Sequence, residues 1–200
     1  VPDDFYGVVA QGPLTEEDFA RIADGEIGVL RIVLPWGAVD PGAAEDDFDF
    51  SAIDPMIEGA ARHGLEPLVD LIGTAPWAAE VDGCADDCGG LPAPSSAETM
   101  EGWREFAAAT SERYGPGGTF WREHPDVPEE PVRTWQIWNE QNATAFYAPE
   151  PDPAGFARLL VAAESEIRAR DSSATVILGG MHADAPPQTL RATDFLRDLY

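Results

Sequence analysis

Gly28-Val29-Leu30-Arg31-Ile32-Val33-Leu34 is apolar or glycine at every position except Arg31. A strand with one wet face alternates polar and apolar residues, whereas a strand covered on both faces runs almost continuously apolar. This stretch therefore reads as a parallel strand with helices packed over it. Working outward, the same signal recurs at 5–10, 67–72, 132–138 and 175–180, each time followed by a helix-like segment. Thr15 with Glu16, Glu17 and Asp18 marks one helix start by its cap and its acidic first turn. Ser51 is read as the cap of a second helix that Gly64 stops, with Pro55 early in it or delaying its start. Ser96 precedes a third helix, which runs to Tyr114 with Trp103, Phe106 and Ala107 on one face. Asp152-Pro153 opens a fourth helix, striped by Phe156, Leu159, Leu160 and Ala163, and a last one is expected from Pro187 to Tyr200. The stretches 73–94 and 120–131 read as irregular.

Strands that alternate with helices predict an α/β fold with a parallel sheet and right-handed crossovers. No Gly-x-Gly-x-x-Gly follows the first strand and no phosphate-binding loop is present, so a dinucleotide fold is unsupported and no cofactor is expected. The better topology is the (β/α)8 TIM barrel, which takes eight units and roughly 250 residues. Five units are legible here, in one domain over residues 1–200, so the reading is strands one to five of eight.

Thr134-Trp135-Gln136-Ile137-Trp138-Asn139-Glu140 carries the chemistry. It is a strand that ends on an Asn-Glu pair, and in such a barrel the carboxyl ends of the strands hold the active site. A carboxylic acid placed there on an apolar strand suits a general acid. Arg31 is a lone charge on an apolar strand and shares a face with Val33. Burying a guanidinium is costly without a carboxylate opposite, and Asp70 within the third strand is one partner. Trp36 and Trp77 follow strands two and three, where indoles serve either as platforms for sugar rings or as loop packing. His182 follows strand five at the rim and could orient a carboxylate or a hydroxyl.

Composition narrows the partners. The formal net charge is -25, from 37 acidic and 12 basic residues, and all the basic residues are arginine. Such a chain repels nucleic acid and anionic membrane, and no apolar run approaches a membrane span. Cys84 and Cys88 lie in a glycine-flanked loop, where a disulfide is plausible; it would indicate a secreted or cell-envelope location. A metal site is disfavoured, because His63, His124 and His182 have no ligand spacing with the cysteines. The start at Val1, with neither an initiator Met nor a leader, reads as a processed or trimmed chain.

Trp138-Asn139-Glu140-x-Asn142, Arg31 on strand two, and the run Arg113-Tyr114-Gly115-Pro116-Gly117-Gly118-x-Phe120-Trp121 together resemble a family. The chain is similar to the N-terminal part of the clan A retaining glycoside hydrolases, most of all to bacterial family 39 and cellulase-like members. The Arg113–Trp121 run is typical of actinobacterial members. Gln141 stands where the family pattern has proline. The resemblance implies cleavage of O-glycosidic bonds, β-linked, in an oligo- or polysaccharide. It implies Glu140 as acid/base and Asn139 as the partner of the sugar 2-hydroxyl, with Arg31 beside a nucleophilic Glu on strand seven. With that strand outside the 200 residues, the stretch by itself is expected to be inactive. Arg31, Trp36, Trp77, Asn142 and His182 are the candidate substrate-binding residues, although Asn142 also reads as a tie for the loop after the acid. The competing class is a carbohydrate-binding barrel that has lost its chemistry. Oligomeric state stays open.

Overall fold

The computed structural model describes residues 5–40, 42, 48–79, 91–183 and 189–200. Five strands, β1 (Gly7–Val9), β2 (Val29–Pro35), β3 (Glu66–Ile72), β4 (Thr134–Ile137) and β5 (Thr175–Leu178), form one sheet in the order β1-β2-β3-β4-β5. Every pair is parallel. The helices among the described residues are α1 (Glu16–Asp24), α2 (Trp36–Val39), α3 (Asp54–Arg62), α4 (Ala97–Tyr114), α5 (Thr119–Glu123), α6 (Pro153–Arg170) and α7 (Ala192–Leu199). Sequential parallel neighbours joined by helices are five consecutive units of a (β/α)8 barrel.

The register sorts the two faces. Leu30, Ile32 and Leu34 of β2 are buried and face the helices. Arg31 and Val33 face the other way, and Val33 is level with Asp70 of β3, which is level with Gln136 of β4. The helix side holds the core, where Trp103 and Phe106 of α4 meet Trp36, and Phe156 of α6 meets Phe195 of α7. On the inner face, Val9 of β1 and Ile177 of β5, the edge strands, are exposed.

Three local expectations need correction. Ser51 caps nothing: α3 starts at Asp54, and the Ser51 N–H donates to Asp49 Oδ1 at 2.9 Å. A cap at Ser51 would put Pro55 at the fourth helical position, its ring against the Ser51 carbonyl; the later start places proline in the first turn. Residues 119–123 are helical rather than irregular, because Phe120 and Trp121 are both buried against the end of α4. The last helix begins at Ala192, and Pro187 lies outside the described residues.

The Arg113–Trp121 run is a structural corner at the amino end of β4. Arg113 forms paired hydrogen bonds with Asp54 of α3, where Tyr114 Oη also donates, at 2.7 Å to Oδ1. Its guanidinium lies over the rings of Phe50, Tyr114 and Phe120, and Trp121 Nε1 donates to the Tyr114 carbonyl at 3.1 Å. It stitches α3, α4 and α5 together.

Candidate active site

The carboxyl ends of β1 to β4 open onto a cavity of about 530 Å³. Gln11 and Pro13 line it after β1, Arg31 and Val33 from β2, Asp70 and Ile72 from β3, and Asn139 and Phe146 after β4.

Beneath that cavity one guanidinium joins three strands. Arg31 Nη2 donates to Asp70 Oδ2 at 2.6 Å and to Asn139 Oδ1 at 3.2 Å, and Arg31 Nε donates to Gln136 Oε1 at 3.1 Å. Gln136 Nε2 then donates to the Trp138 carbonyl at 2.7 Å. The expected ion pair inside the barrel is therefore present, and Asp70 is its carboxylate. Asp70 is fully buried, while the Arg31 side chain keeps 23% of its surface exposed. Burial pushes the Asp70 carboxyl up to about 7, against the opposing pull of the Arg31 charge. Its second oxygen, Oδ1, is buried with no hydrogen-bond partner among the described residues.

Arginine only donates, so Asn139 must turn its carbonyl oxygen to Arg31. The amide sense of Asn139 is thereby fixed, and its NH2 group is left without a partner among the described residues. An amide donor at the cavity wall is suited to a hydroxyl or ether oxygen of a ligand.

The backbone around Asn139 is strained. Trp138 has φ 67° and Glu140 has φ 47°, both in the left-handed region that bulky residues avoid. Such conformations cost on the order of 1–3 kcal/mol each and persist where the surroundings enforce them. Here Gln136 holds the Trp138 carbonyl, Trp138 N–H donates to the Leu71 carbonyl at 2.8 Å, and Glu140 N–H donates to the Gly180 carbonyl at 2.8 Å. Gly179, just after β5, passes so close that an added Cβ would stand 2.3 Å from the Trp138 oxygen. The double reversal turns the Trp138 ring outward, into contact with Trp103 and Tyr147, and so makes it core.

Glu140 is half-buried beside Asn139 at the rim, and its side chain has no hydrogen-bond partner among the described residues. The cavity lining does not include it.

Other candidates fall elsewhere. Trp36 is fully buried in α2, packed against Trp103 and Phe106, and its Nε1 donates to Asp40 Oδ2 at 2.8 Å. Trp77 donates to the same oxygen at 3.0 Å and packs edge-on to Trp36. Neither ring lines the cavity; the shared Asp40 acceptor holds both indoles in loop packing against one another. Asn142 is fully buried, and its side chain ties the loop after the Asn-Glu pair to the segment after β5. Its Nδ2 donates to the carbonyls of His182 at 3.0 Å and Leu190 at 2.7 Å, and its Oδ1 accepts from His182 N–H at 2.9 Å. His182 is the other end of that tie; its ring Nδ1 is buried and unpartnered among the described residues, and the cavity lining does not include it. Gln141, in place of the family's proline, is buried and donates to the Gly179 carbonyl at 3.0 Å, which supplies a different brace for the turn. Cys84 and Cys88 lie outside the described residues. Among the described residues there is no cluster of His, Cys, Asp and Glu able to hold a metal, and no helix is long and apolar enough to cross a membrane.

Sequence reasoning passed over Gln11 and Phe146, which line the cavity. Their signal was positional only: Gln11 follows β1 by two residues and Phe146 follows β4 by nine, both in the loops at the strand carboxyl ends.

Solved structures share this fold. A family 39 glycoside hydrolase from Bacteroides cellulosilyticus WH2 superimposes with a TM-score of 0.59 at 21% identity, over 90% of this chain and 32% of that one. A glucosidase from Croceicoccus marinus gives 0.62 at 13% identity, over 98% and 41%. Cel5A of Thermotoga maritima, in complex with mannotriose, gives 0.55 at 15% identity, over 93% and 55%. The chain thus spans less than two thirds of the length of each. No protein-family model matches the sequence, and no curated protein does. At these identities the likeness is one of fold: the chain is built as five units of the barrel that these glycoside hydrolases share.

Proposed function

We propose that this chain is the first five units of a retaining glycoside hydrolase barrel acting on β-linked oligo- or polysaccharides. The observation that carries the reading is the Arg31 guanidinium, held at the strand carboxyl ends and bonded at once to Asp70 and Asn139 beneath an open cavity. The Asn139 NH2, without a partner among the described residues, supports its role as donor to the sugar 2-hydroxyl oxygen. In this proposal Glu140 enters the reaction protonated and gives its proton to the leaving oxygen. A second carboxylate, from a seventh strand, attacks the anomeric carbon, and Glu140 then takes a proton from the incoming water. Retention requires the two carboxyls about 5–5.5 Å apart. The neighbours' substrates, mannotriose in one of them, support a saccharide in this cavity. A secreted or envelope location, with a Cys84–Cys88 disulfide, remains part of the proposal.

The test is hydrolysis of aryl β-glycosides and β-glucans by the full-length polypeptide and by its Glu140→Ala variant. The proposal expects activity in the first, and in the variant a loss that deepens as the leaving group worsens. The carbohydrate-binding alternative draws on one observation, that Glu140 stands outside the cavity lining. Saccharide binding without turnover by the full-length polypeptide would establish it.

A further inference from the structure

Asp70 belongs to no step of the proposed chemistry. It is nonetheless a fully buried carboxylate, inside the barrel, with one oxygen on Arg31 and the other unpartnered among the described residues. A buried acceptor left unmade costs about 1–3 kcal/mol, so a group retained in that state calls for a reason beyond packing. The geometry supplies one. The same nitrogen, Arg31 Nη2, bonds Asp70 Oδ2 at 2.6 Å and Asn139 Oδ1 at 3.2 Å. The shorter, charge-assisted bond dominates where that nitrogen sits. Arg31 Nε is held separately by Gln136, which also holds the Trp138 carbonyl. Asp70 therefore sets the position of the one donor that fixes which way the Asn139 amide faces.

We propose that Asp70 is a positioning residue, which acts through Arg31 Nη2 to keep the Asn139 NH2 group turned to the ligand side of the cavity. Without the carboxylate, Nη2 loses its stronger acceptor and is free to swing. The Asn139 amide then loses the contact that distinguishes its two ends. What this means for catalysis rests on the glycosidase reading; the link from Asp70 to Asn139 does not.

Two measurements separate the two. Asn139 and Asn142 are the only asparagines in the 200 residues, and in the full-length polypeptide labelled with ¹⁵N at asparagine their two side-chain amide pairs are assigned by the pair each loses in Asn139→Ala and Asn142→Ala. In Asp70→Ser, which adds no asparagine, the Asn139 pair is expected to shift while the Asn142 pair, held by His182 and Leu190, stays in place. An unmoved Asn139 pair overturns the proposal. Should Asp70→Ser move both pairs to random-coil positions, Asp70→Glu, which keeps the charge, is expected to restore both; failure of Asn139 alone to return also overturns it. The second measurement uses the full-length polypeptide with an aryl glycoside and its 2-deoxy counterpart. Asp70→Asn is expected to lower kcat/KM about tenfold or more on the first and less than about threefold on the second, with no further loss in an Asn139→Ala background. Equal losses on the two substrates would mean a purely structural role. If the full-length polypeptide turns over no glycoside, the glycosidase reading fails and the amide shift still decides the link.

Discussion

Replacing Asn142 separates a loop tie from a ligand contact. Its side chain makes three hydrogen bonds in full burial: two as donor, to the His182 and Leu190 carbonyls, and one as acceptor, from the His182 N–H. Each is worth about 1 kcal/mol net, so Asn142→Ala should lose about 3 kcal/mol. For a chain of this size that lowers Tm by about 6–12 °C. Asn142→Asp keeps the shape but sets a carboxylate against two carbonyl oxygens, so it should lose at least as much as alanine at neutral pH. Equilibrium urea unfolding followed by tryptophan fluorescence measures both. A loss under about 1 kcal/mol for alanine, or an aspartate variant more stable than the alanine one, would refute the reasoning. A substrate contact would show the opposite pattern, weaker saccharide binding at unchanged stability.

Two further outcomes follow from the same site. With its folded pKa raised from 3.8 to about 7, Asp70 holds its proton more tightly in the folded state, so its contribution to stability is greatest below pH 4 and declines as pH rises to 7. That is on the order of 4 kcal/mol for a shift of about 3 units. Asp70→Asn removes this slope, and the wild-type-minus-variant difference in urea unfolding between pH 4 and pH 8 reads it; a flat or rising difference contradicts the burial argument. Gly179→Ala would put a methyl group 2.3 Å from the Trp138 carbonyl and 2.8 Å from the Asn139 Cα. It should cost about 2 kcal/mol or more in thermal unfolding and weaken saccharide binding with it, since the methyl group presses on the strained turn that carries Asn139.

Strand order and layers were legible because β2 and β3 are near-continuous in apolar residues, as strands with one face packed on helices and the other turned into a barrel must be. The Arg31–Asp70 pair was legible for an energetic reason: a guanidinium on an apolar strand demands a carboxylate, and Asp70 was in reach on the next strand. What stayed hidden depends on backbone conformation or on the direction of a short helix. Nothing in Trp138-Asn139-Glu140 announces left-handed φ at both flanking residues, yet that reversal decides that Trp138 joins the core while Asn139 meets Arg31. Trp36 and Trp77 look like rim aromatics by position. The four-residue helix α2 and the shared acceptor Asp40 turn them inward. Asn142 has a side chain equally able to face a sugar or two carbonyls, and only the approach of the loop after β5 decides between them.

In the proposed chemistry Glu140 is the proton donor of a retaining glycosidase. Azide rescue of the full-length Glu140→Ala variant tests it most directly, on an aryl β-glycoside whose good leaving group needs no proton. Azide is expected to accelerate turnover and to yield a β-glycosyl azide, because the anion takes the place of the water that Glu140 would have activated. Turnover unaffected by azide, or an α-glycosyl azide as product, would contradict it.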